Sequence, residues 1–559
     1  MLPQADGHPL PVSDSPSSHS LPALPPISSD VHAENEHRLA ILAELDDAPF
    51  SPFFVKVAAV AGVGFFTDAY DIFAINIAST MLGYVYSANH TKLTSNQDLA
   101  VKVATPVGTL IGQLLFGWLA DVIGRKRMYG IELVIIIFAT FAQTLSSQGP
   151  TVNIIGVLVV WRFLMGVGIG GDYPLSAVIP SEFAAKHSRG RLMTSVFACQ
   201  GWGNLAAALV SLAVVSAFKS SILHDQQADQ PVYRHVDFCW RILIGLGCIP
   251  GVIAVYFRLT IPETPRFTMD VERNVRQATD DITSVLIDGT YWVDHEAAVR
   301  RVGAPRASKR DFIGYFGQRK NLKILIGCAY SWFAVDMVYY GLGLNSPIIL
   351  QGIGFAGLNS TTSVQNGAFA GSYNVDRDAY GSLHRISVGN IILSVAGLIP
   401  GYWVSFLFID SWGRRPIQLL GFSMLTVILI IMGFGYDAMK NHANGALVFL
   451  FCLANFFQNF GPNLTTFVIP GEVFPTRYRS TAHGICAACG KLGAIVSQVG
   501  FAHLQNIGGD DHFLKHIFEI FALFSLTGVF STMLLPETKL RTLEDLSNEK
   551  QDDFIQGRP

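Results

Sequence analysis

The chain has 559 residues, half of them apolar and only 14% charged, with a mean hydropathy of +0.37. That balance excludes an ordinary soluble protein of this size and points to a polytopic membrane protein. A formal net charge of −3 lacks the basic surplus that a nucleic-acid partner requires.

Residues 1–50 are rich in Pro, Ser, His and acidic side chains and contain no run long enough to span a bilayer, so they read as a disordered cytoplasmic tail. No basic start or apolar core of a cleavable signal opens the chain, and the first membrane helix is expected to act as the targeting signal. A span needs roughly 20 apolar residues to cross about 30 Å of hydrocarbon. Twelve such runs are found, near 55–80, 101–121, 127–147, 152–180, 193–217, 238–259, 323–347, 386–409, 416–436, 446–472, 482–505 and 513–535. The polar stretch 260–322 separates them six and six. The expected organisation is an all-α membrane protein: a six-helix half over 51–259, a cytoplasmic linker over 260–322, a second half over 323–535 and a cytoplasmic tail over 536–559.

With the amino terminus inside, most of the 39 Lys and Arg residues fall on cytoplasmic segments, as the positive-inside rule requires. The N-x-S/T pattern occurs at Asn89, Asn359 and Asn463. The first two fall in expected outside loops and are candidate glycosylation sites, whereas Asn463 lies in a span. The seven cysteines sit in or beside apolar segments, and their odd number implies no external disulfide framework. The Cys486-x-x-Cys489 pair lies in a span, where packing is the expected role. No cofactor motif or metal-ligand set stands out.

An internal repeat supports the division into halves. The segment from Gly112 to Gly130 aligns without gaps on the segment that starts at Gly401, placing Asp121 over Asp410, Gly124 over Gly413 and Arg125 over Arg414. One position further along, Pro180, Glu182 and Arg189 fall over Pro470, Glu472 and Arg479, and Tyr173 over Asn463. Repeated halves of this kind hold substrate between them near the midplane. The loops collect carboxylates (Asp121, Glu182, Glu263, Asp410, Glu472, Glu537) and arginines (Arg125, Arg189, Arg414, Arg479) on the cytoplasmic face. These are expected to form a gate of ion pairs that latches the inner ends together while the outer side is open. The plainer alternative is that they fix topology and solvate helix ends, at about 0–1 kcal/mol per exposed pair.

Ionisable residues inside spans are costly, roughly 2.5–3.5 kcal/mol each on insertion scales, and normally face a wet cavity or a protein interior. They are Asp68, Asp71, Glu132, Arg162, Asp172, Asp336 and Lys491. Asp68 and Asp71 are three residues apart and share a helix face, which suggests proton handling along one watery path. Glu132 and Arg162 read as structural pair residues near helix ends and packing surfaces. Trp332, Asp336 and Tyr340 recur every four residues and form one stripe. The carboxylate at the centre of that stripe favours a cavity-facing role over simple packing.

GGDYPLSAVIPSE (Gly170 to Glu182) closely resembles the hallmark string of the phosphate:proton symporters of the major facilitator superfamily, with Val178 and Pro180 as departures. The likeness, especially to fungal high-affinity members, extends through W-x-x-x-D-x-x-x-Y, FFQNFGPNLTTFVIPGEVFPTRYRSTAHG (Phe456 to Gly484) and the lysine of the eleventh span. It implies the major facilitator fold, with a phosphate pocket of Tyr173, Gln200, Trp332, Asp336, Tyr340 and Asn463 and with Lys491 close by. It implies a proton path through Asp68, Asp71 and Asp172, to which Asp336 is added as a proton site. The activity implied is proton-coupled import of H₂PO₄⁻ across the plasma membrane by alternating access, with phosphate and protons as partners and both termini cytoplasmic. An ionised Asp336 would accept a hydrogen bond from a phosphate hydroxyl and repel sulfate, which has none to offer.

Rival readings remain. PETPRF (Pro262 to Phe267) and PETK (Pro536 to Lys539) resemble loops of sugar porters, although the seventh span lacks their amide-rich pattern. Other anion or phosphodiester carriers share much of the motif set, and a nutrient sensor belongs to a different class. An enzyme is disfavoured: the GVGIGG run (Gly166 to Gly171) lacks the GK[ST] of a phosphate loop and suits close helix packing. Regulatory kinase or ubiquitin machinery would act at the cytoplasmic loop and tails.

Overall fold

The computed structural model describes residues 42, 46–47, 52–88, 90, 92–227, 233–259, 263–270, 308–352, 378–509 and 513–547. Twelve helices within them are long and apolar enough to cross a membrane. In chain order these are α1 Phe54–Tyr86, α2 Ser95–Ile123, α3 Arg125–Leu145, α4 Ile154–Phe183, α5 Arg189–Ala217, α6 Arg234–Arg258, α7 Arg319–Gly343, α8 Ala379–Trp412, α9 Arg414–Phe434, α10 Asn444–Val473, α11 Thr476–Leu504 and α12 Leu514–Thr532. The expected count is met, and α7 begins at Arg319, ahead of residue 323. Asn89 and Asn359, the candidate glycosylation sites, lie outside the described residues.

A belt of large apolar side chains covers the outside of the bundle, including Trp118, Phe138, Phe141, Tyr256, Leu407, Phe434, Phe449 and Leu523. An exposed apolar surface of that extent is tolerable only against lipid tails. In lipid no hydrophobic force draws helices together, so small residues that admit close packing supply the contact. The GVGIGG run does this. A Cβ at Gly166 or Gly170 would strike the α2 backbone at Thr105 or Thr109, so α4 lies flush on α2.

Three helices are broken where the backbone has a reason to break. α6 is interrupted between Gly245 and Cys248. α8 passes through a π-helical turn, Ser394–Leu398, just before Pro400. Proline lacks an N–H and clashes with the carbonyl four residues earlier, and the wider turn accommodates it. In α10 the helix stops at Asn459 and restarts at Pro462, which brings Asn463 into the first turn of the second piece.

The Asp-x-x-Gly-Arg loops mark one end of the bundle, the charged end. Gly124 and Gly413 have φ of 118° and 100°, a region that favours glycine. A Cβ there would come within 2.9 Å of Glu263 and 2.7 Å of Glu537 respectively. The two repeats therefore use the same turn against the glutamate of the same PET motif.

Candidate functional site

At the charged end each half builds the same cluster. Arg125 lies 3.1 Å from Asp121 and 3.4 Å from Glu182, while Arg414 lies 3.0 Å from Asp410 and 2.8 Å from Glu472. The threonine of each PET motif completes it: Thr264 Oγ1 donates to Glu182 and Thr538 Oγ1 to Glu472, both at 2.5 Å. Glu263 accepts the backbone N–H of Lys126, and Glu537 those of Arg414 and Arg415. The sugar-porter-like motifs thus serve this end.

Fewer of the gate residues than expected pair across the halves. Among the described residues, Arg479 to Glu182, at 2.8 Å, is the close ion pair that crosses, and Arg191 reaches Asp410 at 4.0 Å. Most of the other crossings use the backbone, and the Thr481 hydroxyl also donates to Asp121 at 2.7 Å. Asp121 accepts from the N–H groups of Ser480 and Thr481, at 3.3 and 2.7 Å, and Asp410 accepts from Arg191 N–H at 2.9 Å. Both carboxylates sit at helix N-termini, where the macrodipole and free N–H groups favour an anion. Arg125 donates to the carbonyl of Thr476 at 2.7 Å. Arg189, the repeat partner of Arg479, takes another course: it pairs with Asp46 at 3.3 Å and donates to the carbonyl of Arg541.

Asp46 and Glu544 were not foreseen at all. Buried Arg266 joins them, at 2.9 Å to Asp46 and 3.1 Å to Glu544, and donates to the Glu182 carbonyl. Burial pushes the Glu544 carboxyl up, but Arg266, a backbone hydrogen bond and Arg479 outweigh it and hold it down at about 2. The amino-terminal segment, the linker and the carboxyl-terminal segment are thereby tied over one end of the bundle.

The opposite end is not open. Asn76 Nδ2 donates to the Gly343 carbonyl, Ser211 and Ser387 share a hydrogen bond at 2.9 Å, and Lys102 reaches Asn345 at 3.3 Å. A cavity of about 270 Å³ beside Lys102, Asn345 and Gln498 opens part of the way in. Polar side chains thus bridge the halves at this end as well as at the charged end.

Between the ends, the seven expected pocket residues are buried and converge. Lys491 Nζ lies 2.9 Å from Asp336 Oδ2, 4.7 Å from the Tyr173 ring centre and 4.5 Å from that of Tyr340. A desolvated ammonium is attracted to ring faces as well as to a carboxylate. A Cβ at Gly490 would touch both Trp332 and Asp336, which sets the indole beside the carboxylate. Gln200 donates to Tyr173 OH at 3.1 Å and accepts from Tyr402 OH at 2.8 Å, and Asn463 donates to Tyr402 OH at 2.8 Å. Tyr402, from α8, was missed by sequence reasoning; a lone tyrosine in an apolar run gives no signal. The Tyr340 hydroxyl is buried with no hydrogen-bond partner.

The proton-site candidates divide. Asp71 accepts from Thr140 at 3.0 Å. Asp68, one turn away, has neither carboxyl oxygen hydrogen-bonded and lies beside Asp172, Arg258 and Asp71. Asp172 pairs with Arg258 at 2.6 Å and accepts from Ser176 at 2.5 Å. Arg258 also holds Glu132 at 2.7 Å. The structural pair of Glu132 is therefore with Arg258, and Arg162 donates instead to the Val101 carbonyl at 3.0 Å. Sequence reasoning passed over Arg258 because it ends α6, where a cation looks like an ordinary interfacial anchor.

A sequence profile of the family described as "Sugar (and other) transporter" matches residues 57–356 and 380–549. The "Repressible high-affinity phosphate permease" of Neurospora crassa is 49% identical over 533 residues, covering 92% of this chain and 90% of that protein. The "Inorganic phosphate transporter PHO84" of Saccharomyces cerevisiae is 44% identical over 543 residues, covering 93% and 88%. Among solved structures, the proton:xylose symporter XylE bound to 6-bromo-6-deoxy-D-glucose superposes with a TM-score of 0.66 over 88% of this chain and 98% of its own, at 19% identity, a likeness of fold. The chain is a multi-pass membrane transporter of the major facilitator superfamily, belonging to the family that contains the fungal high-affinity phosphate permeases.

Proposed function

We propose that this protein imports H₂PO₄⁻ with protons across the plasma membrane by alternating access. The observation that carries the reading is Lys491, held between Asp336 and the faces of Tyr173 and Tyr340, so that one cation is shared by both halves. Phosphate monoanion offers oxygens to Lys491, Gln200, Asn463 and the phenols, and a hydroxyl to Asp336. In the closed form all of these donors but the Tyr340 hydroxyl are already partnered, so the anion largely replaces bonds already present, which limits the desolvation cost. Sulfate would leave Asp336 facing an acceptor, a like-charge contact that selects against it.

The halves, 51–259 and 323–535, rock about this site, and the 260–322 linker with both tails lies on the cytoplasmic side. The charged end is then the inner gate. Moving one net positive charge inward gains about 2.3 kcal/mol per 100 mV, so more than one proton must accompany each H₂PO₄⁻ for the membrane potential to contribute. Asp68, Asp71, Asp172 and Asp336 are the proton-site residues of this reading. Lysines of the linker and tails are where a regulatory kinase or ubiquitin system would act. The sugar-porter likeness has no support in the pocket, since PETPRF and PETK serve the inner gate.

Competition decides it. Labelled phosphate uptake by purified protein in proteoliposomes should be reduced by arsenate and left unchanged by sulfate, glucose and glycerophosphoinositol. Displacement by glucose or glycerophosphoinositol would transfer the protein to a different substrate class.

A further inference from the structure

The carboxylates Asp172 and Glu132, on α4 and α3, are both spanned by one guanidinium, that of Arg258. It lies 4.0 Å from the Tyr129 ring centre and donates to the Tyr129 carbonyl as well. The site is closed from above by α1. A Cβ on Gly64 would overlap Arg258 Nη2 and come within 2.5 Å of Asp172 Oδ2. Gly64 is one turn before Asp68, so the helix that carries the unpaired Asp68 is seated directly on the ion pair. The groups facing this cluster are Asp68 and Asp71 from α1, Tyr129 and Glu132 from α3, Asp172, Tyr173 and Ser176 from α4, Arg258 from α6 and Tyr340 from α7.

Charge counting limits what this cluster can hold. Three buried carboxyls, Asp68, Glu132 and Asp172, surround a single arginine. Asp172 and one oxygen of Glu132 pair with it, and neither oxygen of the third, Asp68, receives a hydrogen bond from a donor; Asp68 faces the Asp172 carboxylate. An ionised carboxylate without partners in a dry interior is untenable, so Asp68 carries the proton in this form. The arginine is also mechanically placed. It ends α6 five residues before Glu263, and Glu263, Thr264 and Arg266 are the residues that fasten the charged end.

We infer that Arg258 couples the inner gate to proton transfer: seated on Asp172 and Glu132 while the gate is shut, it leaves the proton on Asp68, and it withdraws when the PETPRF segment is released. This rests on the proton-coupled reading above. With Arg258 gone, Asp172 is left without its counter-charge and takes the proton from Asp68. While the gate is still open, the proton leaves Asp172 for the water on the opened inner side as Arg258 returns to that carboxylate, and only then does the gate reclose. One proton moves from Asp68 to Asp172 to water, and the arginine stays charged throughout. Arg258 is a positioning residue, since it touches neither phosphate nor the proton in transit.

The test compares two readouts on the same proteoliposomes: accumulation of labelled phosphate driven by an imposed proton gradient, and phosphate–phosphate exchange without one. For Arg258→Gln the ratio of accumulation to exchange should fall at least about tenfold, and the exchange rate should lose its dependence on pH between about 5 and 7. Arg258→Lys, which restores the charge, should recover the ratio to within about threefold of the natural protein. Gly64→Ala alters no titratable group yet drives a methyl into the pair; it should lower the ratio in the same way, and it decides the matter if Arg258→Gln does not fold. A natural ratio in Gly64→Ala or Arg258→Gln overturns the inference alone. Uptake by the natural protein that ignores the gradient overturns the proton-coupled reading, and the inference with it.

Discussion

The charged end and the central site are built from the same repeat and end up unlike each other. At the charged end nearly every part is duplicated: glycine turn, arginine between two carboxylates, PET glutamate on the loop backbone, PET threonine on the buried glutamate. In the centre the duplication stops. At the offset that puts Glu472 over Glu182, Lys491 falls over Gly201 and Gln200 over Gly490, so one half supplies an amide and the other the charge. In the proposed reading, parts that both halves need in order to rock are kept twice, and the single substrate position is made once. Even the gate yields where the chain ends intervene, since Arg189 is drawn to Asp46 while its counterpart Arg479 crosses to Glu182.

The largest expected effect lies in the unrepeated centre. Asp336→Asn leaves the Lys491 ammonium buried without its counter-charge, and breaking such a pair costs about 3–5 kcal/mol. Labelled phosphate uptake at saturating gradient should fall by two orders of magnitude or more; uptake within a few-fold of the natural protein would remove Asp336 from the site.

The repeated gate comes next, where two equivalent glutamates are expected to behave differently. Glu182→Gln weakens the crossing pair with Arg479, whereas Glu472→Gln disturbs contacts within one half. Cysteine probes placed along the charged end should react several-fold faster in the first variant than in the second, in proportion to about 1–2 kcal/mol of lost closure. Equal reactivity would show that the gate closes symmetrically after all.

The tie between the tails is sensitive to acid. Glu544 is held at about 2, below its ordinary 4.5. A depressed carboxyl stabilises the folded form fully above the unfolded pKa and ceases to do so as pH falls from about 4.5 through about 2. Glu544→Gln should therefore lower stability at pH 7 by on the order of 3 kcal/mol, seen as a lower melting temperature, and the gap to the natural protein should shrink over that acid range. A gap independent of pH would place the effect in packing.

Smallest is Tyr402→Phe, which removes one hydroxyl that links Gln200 to Asn463. A net hydrogen bond is worth about 1 kcal/mol, so KM for phosphate should change roughly five-fold with little loss of maximal rate. A collapse in rate instead would make Tyr402 part of the moving seal.

The same division governs what was legible in the sequence. The twelve spans follow from apolar runs long enough for a bilayer, and the pocket residues from costly side chains in those runs and from the family likeness. The helix breaks were not anticipated, although Pro400 and Pro462 each mark a lost hydrogen bond. What the sequence hid are partnerships set by tertiary approach. Arg258 looks like an anchor at a helix end until α3 and α4 bring Glu132 and Asp172 to it. Asp46 lies among tail residues with no periodic signal. The bridging of the opposite end by Asn76, Ser211 and Lys102 depends on how the two halves approach each other, which no local pattern records.

The central claim is that one anion site shared by both halves is driven by protons. Its most direct measurement is the steady-state phosphate concentration inside proteoliposomes, with an inward proton gradient imposed and then collapsed by an uncoupler. The account predicts accumulation above the outside concentration while the gradient lasts and return to equality when it is collapsed. Equality from the start, or accumulation that survives the uncoupler, would contradict it.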